Sequence, residues 1–409
     1  MNQADSDITN IQVDLVILGG GIAGLWLLNH FCNKGYHCIL LEANALGAGQ
    51  SMASQGIIHG GLKYALDGSL SAAARAIATM PERWEQCLRG SGDVDLTACE
   101  LLSPHYYMWS EGSYRSRLKS FFGSKALRGK ISTVAPEKYP ALFDDQQASG
   151  YLYQLSDFVI DSVSLINTLA NNYRDRLFQV PPDKLQIYPG NSGENGYVTI
   201  KSNNRSIIIN SQRTILAAGE GNQGLLQQAG LLEPEMQTRP LHMVMLSGKS
   251  LPEGFVHCVG DDFSMTPALT LTSHLTRTGV RVWYLGGEIA EAGVTRDSQA
   301  QINASRDLLE KTFGWINFSD VRWLTFMINR AEGKLPNKHR PDSVFVSEND
   351  QLLVTWPTKF TLSPALADAV SRSLNQQDIM PRYNDSLIEL ANLLPSAHTA
   401  QPPWERFDE

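Results

Sequence analysis

Six residues dominated by apolar side chains, Val13-Asp14-Leu15-Val16-Ile17-Leu18, run straight into Gly19-Gly20-Gly21. An unbroken apolar run stopped by glycines predicts a buried strand and a tight turn. Leu25-Trp26-Leu27-Leu28 then continues as a helix, and Cys38-Ile39-Leu40-Leu41 reads as a second strand. A loop of small residues follows over 47–56, then a helical pattern over 69–88 with Ala and Met on one side and Arg and Glu on the other. From about 90 to 150 the texture changes to short, aromatic, basic pieces broken by Gly and Pro. A helix is expected over 162–172, then strands at 185–188, 197–201 and 206–209, each bounded by turn residues. Residues 213–221 form a buried strand ending in small residues, and further strands are expected at 241–246, 268–272 and 280–287. A helix over 297–313, a strand at 352–356, a turn at Pro357 and a helix over 363–374 complete the pattern.

Gly19, Gly21 and Gly24 form a G-x-G-x-x-G between a strand and a helix. The first glycine permits the turn, the second lets backbone approach a pyrophosphate, and the third lets helix pack on strand. Glu42 ends the second strand eighteen residues beyond Gly24, where an acid hydrogen-bonds an adenosine ribose. Strand, turn, helix and acid in this order point to dinucleotide binding. A glycine-rich turn in some other α/β protein would not need the acid. The nucleotide-binding texture falls in three separated pieces with two β-rich insertions, which predicts two intertwined domains.

Composition narrows the picture further. The 409 residues, 43% apolar and 19% charged, suit a globular enzyme with a large core. A net charge of −8 argues against general nucleic-acid binding. The cysteines at 32, 38, 87, 99 and 258 make no C-x-x-C and no zinc spacing, so they read as reduced thiols, and no metal site is expected. Residues 1–14 hold three Asp and no Lys or Arg, unlike the start of a signal peptide. The apolar run 15–28 is too short to span a bilayer and contains four glycines, so the expected location is cytoplasmic.

With these motifs in place, the chain resembles the FAD-dependent amino acid oxidase-like superfamily, which includes D-amino acid and glycine oxidases and glycerol-3-phosphate dehydrogenases. The resemblance is strongest over 16–42, 50–64, 214–221 and 360–365; the piece Gly56-Ile-Ile-His-Gly-Gly-Leu-Lys-Tyr is similar to the glycerol-3-phosphate dehydrogenase members. It implies an α/β fold: a Rossmann-like FAD-binding domain (1–90, 151–235 and 331–409) with an interposed mixed β-sheet substrate domain (91–150 and 236–330). By the same resemblance Gly19, Gly21 and Gly24 meet the pyrophosphate, Glu42 the ribose, and Gln50, Ser51 and Ser54 the phosphates. His59, Gly60, Gly61 and Leu62 lie near the isoalloxazine ring, and Thr361 and Leu362 at its pyrimidine end. The small residues Ala218 and Gly219 let a late strand approach the cofactor closely, and members with His-Gly-Gly hold FAD non-covalently. Members usually carry a glycine just before the last helix, where this chain has Lys359. That lysine either places an ammonium near the flavin or points to solvent.

The chemistry expected is hydride removal from a carbon bearing an amine or hydroxyl in an anionic small substrate. Arg330 matches the family's carboxylate-binding arginine in order, and a surface charge at an element end is the plainer reading. Arg239 and His242, three apart on one strand, fall on opposite faces. His59 is either a proton-transfer group at the flavin or a satisfied buried histidine, and Lys63 and Tyr64 are further substrate-contact candidates. Segment 106–130 concentrates Arg115, Arg117, Lys119, Lys125, Arg128 and Lys130 among aromatics. It reads as a solvated amphipathic helix, a lid, a polyanion dock or a peripheral membrane foothold. The electron acceptor is oxygen or quinone. Alternative functions are a membrane-associated dehydrogenase feeding quinone, a FAD-dependent modifier of a macromolecule such as tRNA, and a partner-binding protein.

Overall fold

The computed structural model describes residues 8–61, 76–111, 131–143, 148–190, 196–202, 205–259, 267–335, 343–349 and 351–409. Strand Ile8–Leu18 is the axis of the first sheet, with parallel neighbours Cys38–Glu42 on one side and Arg205–Leu216 on the other. Leu177–Gln179 extends the sheet beyond Cys38–Glu42, and Leu352–Trp356 beyond Arg205–Leu216, both in parallel. Burial explains the sequence texture. The first half of Ile8–Leu18 alternates, and its last six residues are all buried. Arg205–Leu216 behaves alike, because its first half pairs with the antiparallel strand Tyr197–Ser202 and its end with Leu352–Trp356. A strand covered on both faces loses its polar alternation. The core on one side of this sheet joins helix Ile22–Asn33 to helices Ser162–Asn172 and Ser363–Gln376 through Trp26, Phe31, Leu165, Leu169, Leu366 and Val370.

The second sheet runs Arg322–Gly333, Met236–Ser247, Arg281–Gly286, Leu269–Leu275, Phe255–Cys258, Tyr106–Glu111, Gly150–Leu155, Ile131–Thr133. Its pairs are antiparallel except Phe255–Cys258 with Tyr106–Glu111. Gly150–Leu155 pairs here, so sheet membership passes back to the first sheet slightly later in the chain than the change of composition at 150. One face packs Val244, Leu246, Trp283 and Leu285 against Leu309 of helix Ser298–Thr312 and the adjoining Phe313. The other face looks toward the nucleotide-binding elements: Ile57 packs with Tyr106, Met108 and Phe255, and Val163 against the cluster of Met243 and Tyr284.

Two expectations change. The helix expected over 69–88 is described only from residue 76, as a turn of helix and then Met80–Leu88, residues 62–75 lying outside the described residues. The start of 106–130 is a strand, Tyr106–Glu111, because Tyr106 and Met108 face one side while Trp109 enters the core on the other. Residues 112–130, with all six basic side chains, lie outside the described residues. The C-terminal chain straps both sheets: residue Ala400 donates to Leu46 O, while Trp404 stacks on His274 at 3.9 Å and Glu405 accepts from Arg277 N.

Two measurements test this packing. A Cβ at Gly24 would lie 1.9 Å from Gly19 O, whereas at Gly224, in helix Asn222–Gln228, nothing lies within 4 Å. Gly24→Ala should cost about 3 kcal/mol, and Gly224→Ala should stabilise by about 0.5–1 kcal/mol, both read by thermal denaturation. Burial lowers His274 from 6.5 to about 3, and burial then Lys34 lower His30 to about 4. The unfolded chain takes up protons that these folded imidazoles refuse, so stability should fall as pH drops from about 6.5 toward 4. Each such group contributes up to about 1.4 kcal/mol per pH unit. His274→Gln should flatten the dependence of Tm on pH over that interval.

Candidate active site

The glycine turn is built as the chemistry requires. Gly19 sits at φ +110°, and a Cβ there would come within 2.5 Å of Ala218 Cα, so the ends of the first strand and Arg205–Leu216 approach backbone to backbone. Ser51 Oγ accepts from Ile22 N at 2.9 Å, tying the small-residue loop to the start of helix Ile22–Asn33. That helix has no acid in its first turn, so its positive end is left for an anion. Glu42 stands beside the turn, its two oxygens accepting from Gly20 N at 2.5 Å and Asn44 N at 2.8 Å. Ala218 N donates to Asn222 Oδ1, and Gly219 O accepts from Trp356 Nε1.

The segment from Gln50 to His59 crosses the second sheet, and most of its anchors are residues that sequence reasoning did not find. Gln50 Nε2 donates to Asn329 O at 2.8 Å, on the edge strand Arg322–Gly333. Tyr284 OH donates to Ala53 O at 2.7 Å. Gln55 Nε2 donates to Tyr284 O at 2.9 Å, while its Oε1 accepts from Thr270 Oγ1 at 2.7 Å. Ser54 Oγ accepts from Gly56 N. His59 then meets Asp157, Nδ1 to Oδ2 at 3.3 Å, and its ring stacks on that of His257 at 5.9 Å and 12°. Asp157 Oδ1 accepts from Gly60 N at 2.8 Å. His257 presses edge-on against Tyr106, its Nδ1 is sealed from solvent without a partner, and burial followed by the nearby His59 charge lowers it to about 3. Gly61 is left-handed at φ +76°, and Leu62, Lys63 and Tyr64 lie outside the described residues.

Cross-strand register puts Arg239 opposite Arg330, Met245 opposite both Leu324 and Tyr284, and Tyr284 opposite Thr272. With the period of two, Arg239, Arg330, Tyr284 and His257 share the face that looks toward the nucleotide-binding elements. His242 lies on the opposite face, bonded to Gly293 O, as its spacing from Arg239 requires. Arg239 makes a two-pronged pair with Glu332, at 2.8 and 3.2 Å; Glu332 is buried and also accepts from Gln237. Arg330 gives Nη2 to Glu291 Oε1 at 3.0 Å and keeps a buried Nε with no partner. Burial, then repulsion from Arg239, lowers the pKa of Arg330 against the pull of Glu291 and Glu332. Arg330 and His257 are four strands apart, about 19 Å along the sheet. Arg330 and His59 therefore work at opposite ends of the face.

At the head of the last helix, Thr361 is buried, with its Oγ1 unpartnered and its carbonyl accepting from Trp84 Nε1 at 2.9 Å. Leu362 N donates to Lys359 O at 3.0 Å. The left-handed backbone that a glycine would supply lies at Thr358, φ 61°, one residue before the position matched in the sequence. Lys359 is extended and half-buried.

A glycine turn at a helix start, an acid at the end of the second strand and a sheet laid over both define a dinucleotide-dependent redox fold. The family model described as FAD dependent oxidoreductase matches residues 14–355, and the chain belongs to that family. The probable FAD-dependent oxidoreductase PA4991 of Pseudomonas aeruginosa is 42% identical over 396 residues, 97% of this chain and 98% of that protein. The crystal structure of PA4991 superposes with a TM-score of 0.83 at 38% identity, covering 100% of both chains. An L-α-glycerophosphate oxidase from Mycoplasma pneumoniae with FAD bound shares the fold at 16% identity and TM-score 0.64, covering 89% of this chain and 95% of that one. Iminodiacetate oxidase from Chelativorans sp. does so at 14% identity and 0.63, covering 94% and 100%.

FAD fits the residues present. The close approach at Gly19, the uncompensated helix start and the orphan hydroxyl of Thr361 are features that a bound cofactor would complete. No described helix is long and apolar enough to cross a membrane. Gln55→Ala should leave Tyr284 O and Thr270 Oγ1 short of a partner, at about 1–3 kcal/mol. FAD release, followed by recovery of flavin fluorescence, should quicken about tenfold or more.

Proposed function

We propose that this FAD-dependent oxidoreductase removes hydride from a carbon bearing an amine or hydroxyl in an anionic small molecule. The observation that carries the reading is Arg330, whose buried Nε lacks a partner on the face toward the cofactor-binding elements. Two cross-strand arginines set against Glu332 and Glu291 make a site that accepts one further negative group without large excess charge. Bound non-covalently, FAD supplies the hydride acceptor. Asp157 fixes His59 through Nδ1 at the end of the face away from Arg330, where it serves the flavin ring as a hydrogen-bond or proton-transfer group rather than meeting the anion held by Arg330. Lys359 and the head of helix Ser363–Gln376, which has no acid in its first turn, offer positive potential to charge arising at the pyrimidine end. Gly19, Gly21, Gly24, Glu42, Gln50, Ser51, Ser54, Gly60, Gly61, Ala218, Gly219, Thr361 and Leu362 line the cofactor in this reading. The two sheets support the division into FAD-binding and substrate domains, and free thiols at all five cysteines support a cytoplasmic setting. Oxygen or quinone then reoxidises the enzyme.

The test is anaerobic bleaching of the flavin by separate pools of amino acids, N-methyl amines, 2-hydroxy acids and glycerol phosphate. One pool should bleach it, and Arg330→Met should then raise KM for that substrate about 10- to 100-fold. A flavin that stays yellow with every pool would overturn the reading.

A further inference from the structure

His59, Asp157 and His257 are about a hundred residues apart in sequence, and each offers one ligand atom within 4.8 Å of the others. Among the described residues this is the group of three or more His, Cys, Asp or Glu side chains so placed. Their separation in sequence hides them from any spacing rule. Two imidazoles and one carboxylate are a donor set for first-row divalent metals.

We propose that His59, Asp157 and His257 form a binding site for a first-row divalent cation such as Zn²⁺. Three features favour the site. The His59 Nδ1 to Asp157 Oδ2 separation of 3.3 Å is the edge of a tetrahedron with metal–ligand bonds of about 2.0–2.1 Å. Asp157 is 4% exposed, and Gly60 N–H holds its Oδ1, so Oδ2 is oriented from behind as a ligating carboxylate usually is. His257 Nδ1 is sealed from solvent and unpartnered, and a cation bonded through that nitrogen would satisfy it. The His59 side chain is 37% exposed, which leaves an entry path. A cation here engages His59, so it would also withdraw that residue from proton transfer; this consequence alone rests on the function proposed above.

The test is calorimetric titration of chelator-treated, flavin-loaded protein with Zn²⁺, which does not depend on turnover. One saturable site per chain is expected, weakened at least 100-fold by His257→Gln and by Asp157→Asn. Flavin content and Tm report whether each variant has folded. Should either variant fail to fold, Co²⁺ in the unaltered protein decides: visible bands of a four- or five-coordinate site support the proposal, and the spectrum of aqueous Co²⁺ overturns it. Absence of saturable Zn²⁺ binding, or equal binding by both folded variants, also overturns it. If Zn²⁺ binds as expected while no pool bleaches the flavin, the site stands and the function proposed above falls.

Discussion

Gln55 is the joint on which the candidate active site depends. It leaves the small-residue loop of the nucleotide-binding half and satisfies polar groups of two adjacent strands in the other half, Tyr284 O and Thr270 Oγ1. Buried backbone groups without partners are costly, so the sheet and the loop hold each other in register. Tyr284 OH returns a bond to Ala53 O, and Gln50 adds a third on the edge strand. With those bonds made, His59 has little freedom in where it falls, and it falls against Asp157.

The same loop shows why part of the site was legible in the sequence and part was not. Strand, glycine turn and helix from Val13 to Asn33 are local: each residue type serves a conformation within a few positions of itself, and Gly19 and Gly24 do what their order implies. Sheet membership was legible where burial changes texture, as at the end of Arg205–Leu216. Asp157 and His257 gave no signal, because a carboxylate before Phe158 and a histidine inside a short strand look like an ordinary turn and an ordinary core residue. Tertiary pairing alone brings them to His59. The aromatic run at Tyr106 was misleading for another reason: in a sheet, adjacent aromatics serve opposite faces, and basic residues further along suggested a helix that does not begin there.

Charge on the face toward the nucleotide-binding elements is arranged as pairs. Arg239 is committed to the buried Glu332, so it can orient but has little left to give an incoming anion. Arg330 is held once, by Glu291, and stands opposite Arg239, which disfavours its charge in the absence of an anion. In the proposed reading an incoming negative group relieves that repulsion, so affinity for it is concentrated on one guanidinium.

The head of the last helix answers to a stricter constraint. Thr358 is β-branched and left-handed, a conformation that costs of order 1–3 kcal/mol and persists only where surroundings enforce it. They do so here: Thr358 Oγ1 donates to Ser343 O, Lys359 N to Pro357 O, and Trp84 Nε1 to Thr361 O. Trp84 is itself fixed by Trp26 at 4.6 Å, in the helix that begins at the glycine turn. The two ends of the proposed cofactor path are thus braced through one pair of indoles.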